Sequence, residues 1–220
     1  MMKSSLWVVM PCYNEEKHIE KSIDDVLKYS NNIVVVDDGS KDRTVELASK
    51  KTEHVLKHIV NLGKGAALKT GADYAISKGA KQLVFIDSDG QHEAKEIPNF
   101  ENALSDCDIV FGARKLNKNM PGIFRFGNFV LSSMIYLFFN VNLSDTQSGY
   151  RAMTAEAYKK IKWKSTDYSV ESEMIANAGK NKLKYKEVCI NTIYHDRYKG
   201  TTIVDGMKIM LKMIFYKISR

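Results

Sequence analysis

Five short apolar runs in the first half of the chain, each separated from the next by a turn or a helix-sized polar stretch, restrict the fold more than any other feature. They are Leu6 to Met10, Ile33 to Val36, Val55 to Ile59, Leu83 to Ile86 and Asp108 to Phe111. Between the first two, Ile19, Ile23, Val26 and Leu27 form one apolar stripe at helical spacing. Asn14 is placed to cap that helix, with Glu15 and Glu16 in its first turn. A short helix is expected over Val45 to Lys50, and another runs from Asn61-Leu62-Gly63-Lys64-Gly65 through Ile76. Strand–helix–strand repeats with right-handed crossovers imply an α/β fold with a mostly parallel sheet.

The second half is less regular. Helices are expected over Ile123 to Phe139, Ala155 to Ile161, Val170 to Ala178 and Ile203 to Ile218, with strands near Tyr150 to Met153 and Lys184 to Ile193. No linker, repeat or low-complexity tract divides the 220 residues, so one domain is expected: a ligand-binding half over 1–113 and a specialised half over 114–220. Cys12, Cys107 and Cys189 are far apart and form no C-x-x-C pair, which argues against a zinc site or a disulfide framework and fits a reducing, cytoplasmic compartment. No signal peptide is convincing. The longest apolar region, Phe129 to Val141, is shorter than the roughly 20 residues a bilayer span needs.

Chemistry gathers at the strand ends. Asp87-Ser88-Asp89-Gly90-Gln91-His92 follows the fourth run and offers two carboxylates and an amide, a hard-oxygen set suited to Mg²⁺ or Mn²⁺ and completed by substrate phosphates. Pro11-Cys12-Tyr13-Asn14-Glu15 ends the first run and Asp37-Asp38-Gly39-Ser40 the second. In a doubly wound sheet these ends share one edge, where ligands bind. A lone Asp-Gly is more often a plain turn, but three acidic strand ends together make a site. Gly63 to Thr70 falls short of a phosphate-binding P-loop because Leu68 stands where glycine is required. Its glycines still allow close approach to a ligand, with Lys64 facing a phosphate; a tight turn before a helix accounts for them equally well. The Asp87 segment fails as an EF-hand, with Gln91, His92 and Pro98 at its fifth, sixth and twelfth positions. His54 and His58 alternate with Val55 and Ile59 and are expected on a polar strand face. His92 is expected to support the acidic loop, and Glu171 and Glu173, two apart on a helix, to make separate contacts.

Together these segments resemble family 2 glycosyltransferases of the polyprenyl-phosphate (dolichol-phosphate) hexosyltransferase type. The resemblance runs through Pro11-x-Tyr13-Asn14-Glu15, Val36-Asp37-Asp38-Gly39-Ser40-x-Asp42-x-Thr44, Asn61-x-Gly63-Lys64-Gly65, Asp87-x-Asp89-x-Gln91-His92, Gly112-x-Arg114 and Asp145-Thr146-Gln147-Ser148-Gly149-Tyr150-Arg151. It implies a GT-A fold and an inverting, metal-dependent transfer of mannose or glucose from GDP-mannose or UDP-glucose to a polyprenyl phosphate. Pro11, Tyr13, Glu15 and Asp38 would line the base and ribose pocket. Asp87 and Asp89 would form the family's D-x-D, with Asp89 and Gln91 as the more direct metal ligands. Arg114 and Arg125 would hold the acceptor phosphate, as guanidinium groups do bidentately. Asp145 stands where a base or an acceptor-orienting group is proposed, and Arg197 in a loop that closes over the donor. The chain departs from the family pattern at Gly90, Glu93 and Phe129, where Leu, Pro and Ser are common.

Net charge is +7 and unevenly spread. No acid occurs from Ile109 to Ser144, and from Arg197 to Arg220 there are six basic residues against Asp205 alone. With a lipid acceptor, the apolar, basic segments Gly122 to Phe139 and Ile203 to Ile218 are expected to lie as amphipathic helices on the cytoplasmic face of a membrane. The bland alternatives are core stripes or a dimer interface. A saccharide acceptor fits the acid-free segment poorly. Nucleic-acid binding would account for the charge but leaves the D-x-D without a purpose. A catalytically silent partner is disfavoured by the intact Asp87, Asp89, Gln91 and Arg197.

Overall fold

The computed structural model describes residues 5–114, 122–191 and 203–218. Seven strands form one sheet in the order β3-β2-β1-β4-β6-β5-β7. They are β1 (Leu6–Cys12), β2 (Ile33–Asp37), β3 (Val55–Lys57), β4 (Gln82–Phe85), β5 (Ile109–Arg114), β6 (Arg151–Thr154) and β7 (Tyr185–Ile190). β6 alone runs antiparallel to its neighbours, β4 and β5; every other pairing is parallel. The carboxyl ends of β1, β2, β4 and β5 therefore lie along one edge, joined there by the amino end of β6.

Successive side chains on a strand point to opposite faces, and here both faces are apolar. Trp7 and Val9 of β1 join Val34, Val36, Phe85, Phe111 and Met153 on one face; Leu6, Val8 and Met10 join Val35, Val84, Val110 and Ala152 on the other. Each such fully buried aliphatic side chain contributes roughly 1.5–3 kcal/mol. Helices α1 (Ile19–Leu27), α2 (Thr44–Ser49) and α4 (Ile97–Ala103) cover the second face. Helices α3 (Lys64–Ser77), α5 (Gly122–Phe139), α6 (Ala155–Ile161), α7 (Val170–Lys180) and α8 (Ile203–Ile218) cover the first. Gly71 lets α3 settle on the sheet: a Cβ there would lie 2.5 Å from Val9 Cγ1.

Several expectations are corrected. Asn14 is not a helix cap. It adopts a left-handed φ of 54°, accepts a hydrogen bond from Lys41 N–H (2.9 Å) and donates its own N–H to Ser40 Oγ (2.8 Å). It thereby ties the loop after β1 to the loop after β2. The helix starts at Ile19, with Glu20 rather than Glu15 or Glu16 in its first turn. β3 stops at Lys57, and Ile59 is 98% exposed. His54 and His58 do not sit on a solvated strand face. His54 meets the Tyr74 hydroxyl at 3.0 Å and packs on Trp7, while His58 bridges Asp38 Oδ1 (2.7 Å) and Thr70 Oγ1 (3.0 Å). α4 lies in a stretch with no expected helix; Pro98 stands in its first turn, where the missing N–H costs nothing. Among the described residues no helix is long and apolar enough to cross a membrane.

Candidate active site

The D-x-D follows β4 at the shared edge. Lys64 Nζ, from the first turn of α3, lies 2.8 Å from Asp87 Oδ1 and 2.9 Å from Glu171 Oε1, in the first turn of α7. Burial alone would depress the Lys64 ammonium, but the Asp87 and Glu171 charges outweigh it and hold its pKa above the ordinary value. Burial likewise works to raise Asp87, yet Lys64, with His92, keeps that carboxyl below the usual range. Asp89 goes the other way: burial and then the Asp87 charge push it up, against a hydrogen bond from Gln91 N–H at 3.0 Å. The two carboxyls of the pair are thus pushed in opposite directions, Asp87 down and Asp89 up.

His92 is nearly buried, its ring 5.4 Å from that of Tyr150 and its Nε2 3.9 Å from Asp87 Oδ2. It lies beneath the acidic loop, as expected. Ser88 pins the loop from below, donating to the Pro11 carbonyl at 2.8 Å and accepting Ser22 Oγ on its own carbonyl at 3.0 Å. Gly63 and Gly65 do not open toward a phosphate. Cβ atoms there would lie 2.3 and 2.2 Å from the carbonyl oxygens of Thr166 and Ser165, so the glycines admit the chain's own backbone.

Toward β2, Asp38 is buried and accepts from Leu62 N–H (2.9 Å), Gly63 N–H (2.7 Å) and the His58 ring. Its carboxylate anchors the loop that enters α3. Asp37, fully buried, takes Ser40 N–H on Oδ2 (3.1 Å). Glu15 is buried beside them, its N–H on Thr44 Oγ1 at 2.8 Å; Pro11 is buried and Tyr13 is 43% exposed.

Toward β5 the edge is built by an ion pair. Arg114 grips Asp145 bidentately, Nε to Oδ2 at 2.5 Å and Nη2 to Oδ1 at 3.0 Å, and Gln147 N–H adds a bond at 3.0 Å. Burial raises the Asp145 carboxyl, but the Arg114 bond and charge prevail and lower it. Arg151 stabilises the same loop from within. Its buried guanidinium donates to the carbonyls of Ser148, Thr146 and Glu171 at 3.0, 3.0 and 2.5 Å, and burial brings its pKa down to about 10. Arg125 lies on α5, with its side chain outside the described part, and Arg197 lies outside the described residues.

The structure thus brings Pro11, Tyr13, Glu15, Asp38, Lys64, Asp87, Asp89, Gln91, Arg114 and Asp145 to one edge. A family model described as glycosyl transferase family 2 matches residues 7–162. The chain belongs to glycosyltransferase family 2. Among its relatives are an uncharacterized protein of Methanocaldococcus jannaschii, 41% identical over 98% of this chain and 93% of that one, and a Methanococcus voltae enzyme. The latter is named UDP-N-acetylglucosamine–dolichyl-phosphate N-acetylglucosaminyltransferase and is 32% identical over 100% of this chain and 99% of its own. The fold matches the GT-A glucosyl-3-phosphoglycerate synthase of Mycobacterium tuberculosis in a crystal structure with Mg²⁺ and UDP. Its TM-score is 0.75 at 18% identity, over 96% of this chain and 79% of that one.

The D-x-D segment offers oxygen donors of the kind a divalent ion takes. Among the described residues no three His, Cys, Asp or Glu side chains gather into a metal cage. Asp87 and Asp89, with the Gln91 amide two residues on, are oxygen donors of the type that suits an ion which keeps waters and takes substrate phosphates. Sequence reasoning missed Glu171, Gly149 and His58 as parts of this edge. Gly149 stood inside a recognised motif; nothing in one sequence brings Glu171 next to Lys64.

Proposed function

We propose that the protein transfers a hexose or N-acetylhexosamine from a nucleotide diphosphate sugar to a polyprenyl (dolichyl) phosphate, with inversion. A Mg²⁺ or Mn²⁺ ion at Asp89, Asp87 and Gln91 would neutralise the departing nucleoside diphosphate. Pro11, Tyr13, Glu15 and Asp38 would hold base and ribose, and Arg197 would close over the donor. Arg114 and Arg125 would take the acceptor phosphate, and Asp145 would fix the orientation of Arg114.

The observation that carries this reading is the Arg114–Asp145 grip. A sugar hydroxyl acceptor needs a base, and a carboxylate held low by a bidentate arginine is a weak one. A phosphate monoester, with its second pKa near about 6, is already a dianion and needs none. The full-length relative named for dolichyl phosphate supports the same acceptor. α5 and α8 support a peripheral position on a membrane: Leu137, Leu211 and Phe215 are 76%, 59% and 68% exposed, with Lys208 and Lys217 nearby.

The test is sugar transfer into an organic-extractable lipid. Purified protein receives polyprenyl phosphate and labelled UDP-N-acetylglucosamine, UDP-glucose or GDP-mannose, with Mg²⁺ or Mn²⁺ against EDTA. Label in the lipid phase, lost with EDTA, is expected. Label that enters only a saccharide acceptor would overturn the assignment. Flotation with anionic liposomes at low salt checks the membrane position, and a protein that stays at the bottom of the gradient removes it.

A further inference from the structure

Glu171 is more than a counterion. It is 5% exposed, and Oε1 meets Lys64 Nζ at 2.9 Å, but Oε2 is buried with no hydrogen-bond donor. An ionised carboxylate oxygen shut away from water without a donor is costly. The protein had the means to avoid that cost, since the next carboxylate along the helix, Glu173, is fully used. Glu173 accepts from Lys164 N–H (2.9 Å) and Ser165 N–H (2.8 Å), and Oε2 also meets the Tyr216 hydroxyl (3.1 Å).

The surroundings say what the missing donor is. Lys64 spans Glu171 and Asp87, so Glu171 lies one ammonium group away from the D-x-D. Its backbone carbonyl is held by Arg151, at the start of β6, which places it on the β6 side of the D-x-D. The base and ribose, on the reading given above, would lie on the opposite, β1–β2 side. Gly149 lets the loop before β6 come up against the pair: a Cβ there would meet Asp87 Oδ2 at 2.5 Å and Lys64 Nζ at 2.8 Å. A phosphate is repelled by a carboxylate and is matched to Lys64 instead. The uncharged donors that a nucleotide sugar carries past its diphosphate are sugar hydroxyls.

We propose that Glu171 Oε2 accepts a hydrogen bond from a hydroxyl of the donor's sugar, which makes Glu171 a specificity-determining residue. This rests on the nucleotide-sugar reading given above. A site built to accept a hydroxyl rejects the analogue lacking it far more strongly than an apolar pocket can, because its own polar group is left unpaired.

The experiment measures donor binding by calorimetry with the full chain and Mg²⁺, and needs no lipid. UDP-N-acetylglucosamine, UDP-glucose and GDP-mannose are compared with their 3-, 4- and 6-deoxy sugar analogues and with UDP and GDP. In the wild type, one deoxy analogue of the bound donor is expected to lose about 10- to 100-fold in affinity, the range for a hydrogen bond to a charged group. In Glu171→Gln that loss should shrink to a few-fold, with UDP or GDP affinity unchanged. Glu171→Asp retains the charge beside Lys64 and withdraws the oxygen by one methylene, and should blunt the discrimination in the same way. Deoxy analogues that bind the wild type as tightly as the parent donor would overturn the Glu171 assignment alone. So would an undiminished deoxy penalty in both variants, or an equal loss of UDP or GDP affinity, which would reduce Glu171 to a support for Lys64. A folded protein that binds none of the three donors overturns this proposal and the function it rests on.

Discussion

Asp38 and Asp145 lie along the same edge of the sheet, are almost equally buried, 3% and 4% exposed, and each accepts two backbone N–H groups, yet their side-chain partners differ in kind. Asp38 takes two backbone N–H groups, from Leu62 and Gly63, and one ring nitrogen. Asp145 takes the backbone N–H groups of Arg114 and Gln147 and, from a side chain, the charged guanidinium of Arg114. One substitution of a partner side chain removes only a ring nitrogen from Asp38, whereas one removes the cation from Asp145; the backbone donors of both remain. The β2 side therefore stands to lose one uncharged contact when a single side chain is replaced. The β5 side rests a buried charge on one residue pair.

The largest expected effect tests the chemical half of that contrast. Asp89→Ala should lower metal-dependent sugar transfer by about 10³-fold or more while the thermal melting curve stays within a few degrees of the wild type. A variant of near-normal activity would mean that the metal is held elsewhere. Next, Arg114→Met leaves a buried carboxylate without its cation and should cost about 3 kcal/mol in urea unfolding. Restoring most of that loss with Arg114→Met/Asp145→Leu would tie the cost to the orphaned charge.

The same pair predicts a pH dependence. The folded-state pKa of Asp145 lies below its ordinary value of about 3.9. Its contribution is therefore present above that value and disappears as pH falls through the folded pKa. Asp145→Asn should flatten the acid limb of the stability profile below about pH 4 and leave the neutral region with a uniform offset.

Gly149→Ala comes third. The clash is with the movable ends of Asp87 and Lys64, so transfer should fall about 10- to 100-fold with under about 1 kcal/mol of stability lost. The smallest effect sharpens the comparison most. His58→Gln removes one of three donors from Asp38 and should cost about 1 kcal/mol, since both backbone bonds remain. A cost equal to that of Arg114→Met would erase the distinction between the two sides.

What the sequence discloses follows the range of the interactions. Apolar runs mark the strands within a residue or three, because burial of Val34 to Val36 or Leu83 to Phe85 is a local property of those residues. The acidic strand ends converge once the sheet is parallel, so Asp87, Asp89 and Asp38 could be gathered in advance. The Arg114–Asp145 pair spans 31 residues, and its partners look in the sequence like two separate functional groups. Lys64 and Glu171 come together across more than a hundred positions through the packing of α3 against the loop before α7. Asn14 misleads because a left-handed asparagine that ties two loops carries the same residue type as a helix cap.

The place of β6 has a consequence for how the molecule is made. β4 and β5 are separated in the sheet by a strand that comes after both in the chain. A nascent polypeptide emerging from the ribosome carries a gap between them until Thr154 has been synthesised, and the acidic loop after β4 waits, half-walled, for the Asp145 to Arg151 segment to arrive. Vectorial synthesis would thus deliver β1 to β5 first and withhold the strand that joins them until more than two-thirds of the chain has left the tunnel.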